Sequence, residues 1–171
     1  MIKKTYTIQD IYAFPDGQRA ELIDGNIYMM APPTTRHQLL AFSLARKIAD
    51  YIDKNKGKCQ VLLAPFAVFL NEEKNYVEPD ISVICDPDKI DDDGCHAPDW
   101  IIEIVSPESR RMDYMIKLFK YRSAGVREYW IVDPEKNRII VYNFINDTMM
   151  EYSFGEPVKA GIYDDLVIAV E

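Results

Sequence analysis

Apolar and polar positions change period along this chain, and turn residues mark the changes. Asp24-Gly25-Asn26 stands between ELI and IYMM, which predicts a hairpin. After Pro32-Pro33, the residues Leu40, Leu44, Ala45, Ile48 and Ile52 recur at three- and four-residue steps, so residues 37–52 predict an amphipathic helix. Four strand-like runs follow: CQVLLAPFAVFL, YVEPDISVIC, DWIIEIVS and EYWIVDP. The last leads through Glu135-Lys136-Asn137 into RIIVYNF as a second hairpin. Between the third and fourth runs a helix is predicted over residues 109–124, with Ser109 as N-cap and Gly125 just past its end. MMEYSF and LVIAV predict late strands at a sheet edge. The elements add up to an α/β (α+β) fold, a mixed β-sheet flanked by helices.

No repeat, low-complexity tract or linker interrupts the 171 residues, so a single domain over 1–171 is expected. No apolar run approaches the ~18 residues that cross a bilayer, and MIKKTYTIQD lacks the apolar core of a signal peptide. A cytoplasmic protein without membrane partners is expected. Three cysteines, Cys59, Cys85 and Cys95, form an odd and sparse set, which predicts reduced thiols. The net charge of −8 disfavours unspecific adhesion to nucleic acid. That average hides an asymmetry: residues 72–108 hold twelve acidic groups against Lys74 and Lys89, whereas 110–127 hold six basic groups against Asp113 alone. The bland reading is two oppositely charged solvated faces; the sharper one is a carboxylate site for cations beside a basic face for anions.

Two carboxylates stand where carboxylates are costly. Asp80 opens PDISVIC, and Glu103 lies inside WIIEIVS, a run apolar enough for a central strand buried on both faces. Such a group must be protonated, paired with a cation or bound to a metal. Two carboxylates on adjacent strands suit a hard divalent cation such as Mg²⁺, which takes oxygen ligands and keeps several waters. At about 100° per residue, Asp113, Lys117, Lys120 and Ala124 share one stripe of the later helix, and Met112, Ile116, Phe119 and Ser123 a neighbouring, mostly apolar one. Lys117 is either a solvated lysine paired with Asp113 or an ammonium leaning over the strand end, where it would assist an attacking water or neutralise phosphate charge.

Pro79-Asp80 followed by Glu103 on the next strand resembles the PD-(D/E)XK nuclease superfamily. The blocks ELIDGNIYMMAPPTTRHQ, PDISVICDPDK, APDWIIEIVSPES and DYMIKLFKYRSAGVREYWIVDP, in that order, are similar to its Uma-two branch over residues 20–135. The resemblance implies a restriction-endonuclease-like core with extra C-terminal strands, usually dimeric. It further implies Asp80 and Glu103 as ligands of Mg²⁺ or Mn²⁺, and roles near the metal for Glu21 and His37. One departure matters: the superfamily pattern has a lysine two residues after Glu103, and this chain has Val105. The blocks place Lys117 in the position of a lysine migrated to the following helix, with Lys120 the alternative donor.

Other chemistries find no footing. Cys85, Cys95 and His96 lack paired zinc spacing and a fourth ligand. Asp91-Asp92-Asp93-Gly94 places Lys89 and Trp100 where a calcium loop needs acids. There is no G-x-S-x-G, G-x-G-x-x-G or P-loop. Tyr121, Tyr129 and Trp130 are candidates for stacking on bases or for core packing. Two functions compete. One is a metal-dependent endonuclease hydrolysing DNA, with catalytic Glu21, Asp80, Glu103 and Lys117 and with Glu21 completing or orienting the metal shell; removing Lys117 is then expected nearly to abolish nicking while leaving fold and metal affinity intact. The other is a catalytically inactive homodimeric module that binds nucleic acid, with Val105 marking the lost lysine.

Overall fold

A computed structural model describes residues 4–71 and 74–171; Glu72 and Glu73 of the acidic stretch and residues 1–3 of the opening lie outside it. A short helix α1 (Ile8–Tyr12) precedes the predicted first hairpin. Strands β1 (Ala20–Ile23) and β2 (Asn26–Met29) pair antiparallel with Ile23 opposite Asn26, so Asp24 and Gly25 alone make the turn. Their φ angles of 50° and 70° are those of the hairpin turn that favours Asp-Gly. The amphipathic helix is α2 (Thr35–Lys54), longer at both ends than its apolar period, and it buries Leu40, Leu44, Ala45, Ile48 and Ile52. Thr34 caps it, its hydroxyl accepting from the His37 N–H at 3.2 Å.

Two of the four apolar runs are divided between sheets. CQVLLAPFAVFL gives β3 (Gln60–Leu63) and β4 (Val68–Phe69) on either side of Pro65, which has no N–H with which to continue a ladder. YVEPDISVIC gives β5 (Tyr76–Val77) and β6 (Ile81–Ile84), divided at Pro79. With the short β7 (Cys95–His96), these build a five-stranded sheet in the order β2-β1-β5-β4-β7. Strands β8 (Trp100–Ile104), β9 (Glu128–Asp133), β10 (Arg138–Asn143) and β11 (Thr148–Ser153) complete a six-stranded sheet, β11-β10-β9-β8-β6-β3. Its β8–β9 pair is parallel and its other pairs antiparallel, so the sheet is mixed as predicted. Strand β11 lies at its edge. LVIAV instead forms β13 (Val167–Ala169), which pairs with β12 (Pro157–Lys159) in a separate two-stranded sheet.

Both faces of the six-stranded sheet are covered. On one, Val83, Trp100 and Trp130 pack against Leu44 and Ile48 of α2, and Val158 and Ile168 close the layer. On the other, Ile101, Tyr129 and Ile131 meet Tyr121 from the later helix and Ile23 and Val77 from the five-stranded sheet. The central strand β8 is therefore buried along its whole length, as its sequence predicts. Tyr121, Tyr129 and Trp130 are all fully buried, which removes them as stacking platforms for bases. No helix among the described residues is long and apolar enough to cross a membrane.

The cysteines depart from expectation. Cys59 and Cys85 are disulfide-bonded, and Cys95 alone keeps a buried thiol. Gln60 pairs with Ile84 across β3 and β6, so one step further along the ladder Cys59 faces Cys85. Counting cysteines cannot see that register.

Candidate active site

Strand register brings the two predicted carboxylates together. Ile81 pairs with Ile102, which sets Asp80, one residue before β6, directly opposite Glu103 of β8. Side chains alternate along a strand, so Asp80, Ser82 and Glu103 share the face turned toward the later helix. Val105 is on that face as well, and it is buried in the apolar layer rather than offering a cation.

Parallel β8 and β9 require a crossover, and the later helix provides it. From residue 110 it passes through a π-helical turn over Met112–Ile116 and continues as α3 (Lys117–Ala124), closed by Gly125 at φ 89° as predicted. Ser109 stands at the predicted start, its carbonyl accepting from the Asp113 N–H at 3.0 Å, but its hydroxyl donates to Asp113 Oδ2 at 2.5 Å instead of capping a free N–H of the helix. The inward line of this helix is Asp113, Lys117 and Tyr121, all buried. Phe119, assigned to the apolar stripe by its period, is 70% exposed. Phe119 stands two residues from both Lys117 and Tyr121, about 200° around the same helix, so once that pair turns inward Phe119 faces outward.

Lys117 crosses from α3 to the sheet. Its Nζ lies 2.9 Å from Glu21 Oε1 on β1, 2.9 Å from Glu103 Oε1 and 3.7 Å from Asp113 Oδ1. Tyr121 O–H donates to the same Glu103 Oε1 at 2.6 Å. The Glu78 N–H donates to Glu21 Oε1 at 3.0 Å. Asp80 Oδ2 accepts from the Ile104 N–H at 2.7 Å and stands 3.1 Å from His37 Nε2 at the start of α2. Glu21, His37, Asp80, Glu103, Asp113, Lys117 and Tyr121 thus belong to one cluster drawn from three layers of the fold. Lys120 does not join it, because it is ion-paired with Asp24 in the first hairpin turn. Patterning does not single out Glu78, whose own oxygens are taken by Arg19 and Tyr76. Its signal was a third carboxylate two residues before Asp80 in an otherwise apolar run.

Charge in the cluster is unbalanced. Glu21, Asp80, Glu103 and Asp113 face one ammonium and one imidazole. Burial pushes Glu103 above the usual carboxylate range, and the neighbouring carboxylates add to the rise despite Lys117. Burial likewise raises Asp113, to about 6. For Lys117 burial favours the neutral amine, but Glu103, Glu21 and Asp113 outweigh it and hold the ammonium charged. Burial also opposes a charged His37, yet Asp80 raises it above its ordinary value. Lys117 is therefore the fixed cation, and the carboxylates carry the surplus.

That surplus fits a divalent cation. Among the described residues, Asp80 Oδ1 accepts no hydrogen bond, and Glu103 Oε2 accepts only a long one, 3.3 Å, from the Asp80 N–H. One oxygen of each carboxylate is left for an ion. No three His, Cys, Asp or Glu side chains among the described residues converge closely enough to hold one unaided. Glu21 is turned to Lys117. Two carboxylates plus waters is the coordination regime of Mg²⁺ rather than of a closed protein cage.

A solved structure carries the same architecture. A crystal structure from Anabaena variabilis ATCC 29413, described as a "putative nuclease belonging to DUF820", superposes with a TM-score of 0.75 at 21% identity, covering 96% of this chain and 94% of that one. The fold is thus restriction-endonuclease-like. Two uncharacterized proteins of Synechocystis sp. PCC 6803 are each 25% identical, over 132 and 134 residues, with 76% of this chain covered in both and 68% and 75% of the relatives. The model of the family described as "Uma2: Putative restriction endonuclease" matches residues 6–161. A match over that span places the chain in the Uma2 family.

Proposed function

We propose that this protein is a Mg²⁺- or Mn²⁺-dependent endonuclease that hydrolyses DNA phosphodiester bonds, with Asp80 and Glu103 as metal ligands. The observation that carries this reading is Lys117: a buried ammonium that reaches Glu103 from the crossover helix where Val105 leaves the strand without one. When bound, the cation would polarise the scissile phosphate and lower the pKa of a water. Lys117 stays protonated and has three N–H groups, of which two are held by Glu21 and Glu103. The third is available to orient a nucleophile or to meet charge building on the phosphate. Glu21 fixes the ammonium from the far side, and His37 steadies Asp80. We further propose that the protein acts as a homodimer.

Lys117 is also the countercharge of three buried carboxylates, which alters the expectation that its loss spares the fold. Truncating one partner of a buried pair costs about 3–5 kcal/mol, so Lys117→Gln is preferable to Lys117→Ala, with circular dichroism confirming its fold. Plasmid nicking with Mg²⁺ or Mn²⁺ should fall ~10²–10³-fold in Lys117→Gln, the scale of one positioned transition-state donor. Divalent metal should raise the melting temperature of the wild type and not that of Asp80→Ala. A wild type that binds DNA but cuts none with any divalent metal would establish the inactive binding module instead.

A further inference from the structure

Glu103 is asymmetric in its partners. Among the described residues, Oε1 receives both the Lys117 ammonium at 2.9 Å and the Tyr121 phenol at 2.6 Å, whereas Oε2 receives only the 3.3 Å contact from the Asp80 N–H. A carboxylate's terminal torsion is broad and its two oxygens are equivalent by a half-turn, so its partners decide the plane in which it lies. Lys117 is a point charge on a flexible stem and follows either oxygen. The phenol is not flexible. Tyr121 has no exposed surface, its ring packs edge-on against Tyr129 with centroids 4.9 Å apart, and the Tyr129 O–H is tied to the Asp113 carbonyl at 2.9 Å inside the π turn. Among the described residues its hydroxyl has one acceptor, Glu103 Oε1.

We propose that Tyr121 is a positioning residue: its hydroxyl dedicates Oε1 of Glu103 to Lys117 and so keeps Oε2 turned to Asp80 for the divalent cation. This rests on the metal reading given above. Tyr121 acts through Glu103, in the manner of the outer partners that orient metal ligands, whose loss typically weakens metal binding ~10–100-fold.

Calorimetric titration of the protein with Mn²⁺, without nucleic acid, tests it in the wild type, Tyr121→Phe and Tyr129→Phe. Each variant loses one buried hydroxyl and keeps its ring, and melting curves without metal establish that each is folded. The Mn²⁺ dissociation constant should rise ~10–100-fold in Tyr121→Phe and stay near the wild-type value in Tyr129→Phe, whose hydroxyl reaches only a backbone carbonyl. Wild-type affinity in Tyr121→Phe overturns the positioning role and leaves the metal site standing. Equal weakening in both variants also overturns it, since that marks general loosening of the core. Absence of Mn²⁺ binding in the wild type removes the metal reading and this role together.

Discussion

Buried carboxylates do two different jobs in this protein. Those around Lys117 are held by a cation, whereas Glu128 has no exposed surface and its close partner is the Trp130 indole N–H at 2.5 Å. Burial raises Glu128 from 4.5 to about 6, against the pull of that indole. A carboxyl raised on folding binds its proton more tightly in the native state. Its stabilising contribution is therefore complete below pH 4.5 and is lost as the pH climbs through about 6. A shift of this size amounts to about 2 kcal/mol. Glu128→Gln keeps an acceptor for Trp130 and removes the ionisation. Its melting temperature relative to the wild type should rise by about 4–8 °C between pH 4.5 and pH 7. A difference independent of pH would show that Glu128 does not titrate this way, and other groups cancel in the comparison.

The element that makes the site is the crossover from β8 to β9. One short helix supplies the apolar face that closes the second core layer, the cation that meets Glu103 and the phenol that turns it. Its length is set by Gly125, at φ 89° and ψ 17°, with the Val126 N–H returning to the Tyr121 carbonyl at 3.1 Å. No atom lies within 4 Å of the point where a Cβ would stand, so a substitution there is opposed by backbone conformation alone. Gly125→Ala should cost about 1–2 kcal/mol, a fall of about 2–8 °C in melting temperature. Gly125→Asn, which tolerates the left-handed region, should lose less. Thermal melts of the pair would decide whether the cap or some unseen contact is responsible.

At the scale of the whole molecule, the site lies where two sheets and two helices meet: Glu21 comes from the five-stranded sheet, Asp80 and Glu103 from the six-stranded one, His37 from α2 and Lys117 from α3. Strand β11 leaves the six-stranded sheet with an open edge, on which Met149 and Met150 are more than half exposed. Exposed edges and apolar side chains favour pairing with a second chain, and a two-fold dimer is the commonest closed arrangement. Light scattering should therefore report twice the 19.8 kDa of one chain at micromolar concentration. A mass that stays at one chain throughout would contradict the dimer.

Hydrophobic period determined α2 and the buried character of β8, and turn residues between apolar runs determined the first hairpin and the β9–β10 hairpin, because each is a local pattern that fixes its own geometry. The oddity of a carboxylate inside WIIEIVS was also visible in one dimension, since burial of an unpaired charge is costly wherever the chain goes. What only the tertiary structure decided depends on register and on distance across layers. The Asp80–Glu103 facing pair and the Cys59–Cys85 link both follow from ladder alignment, and the division of two apolar runs between sheets follows from which neighbour each half finds. Helical period placed Lys117 and Lys120 on one stripe, and it could not say that Lys117 turns inward to Glu21 and Glu103 while Lys120 turns to Asp24. Partners from other strands and from the first hairpin turn made that choice, and they leave no periodic trace in the sequence.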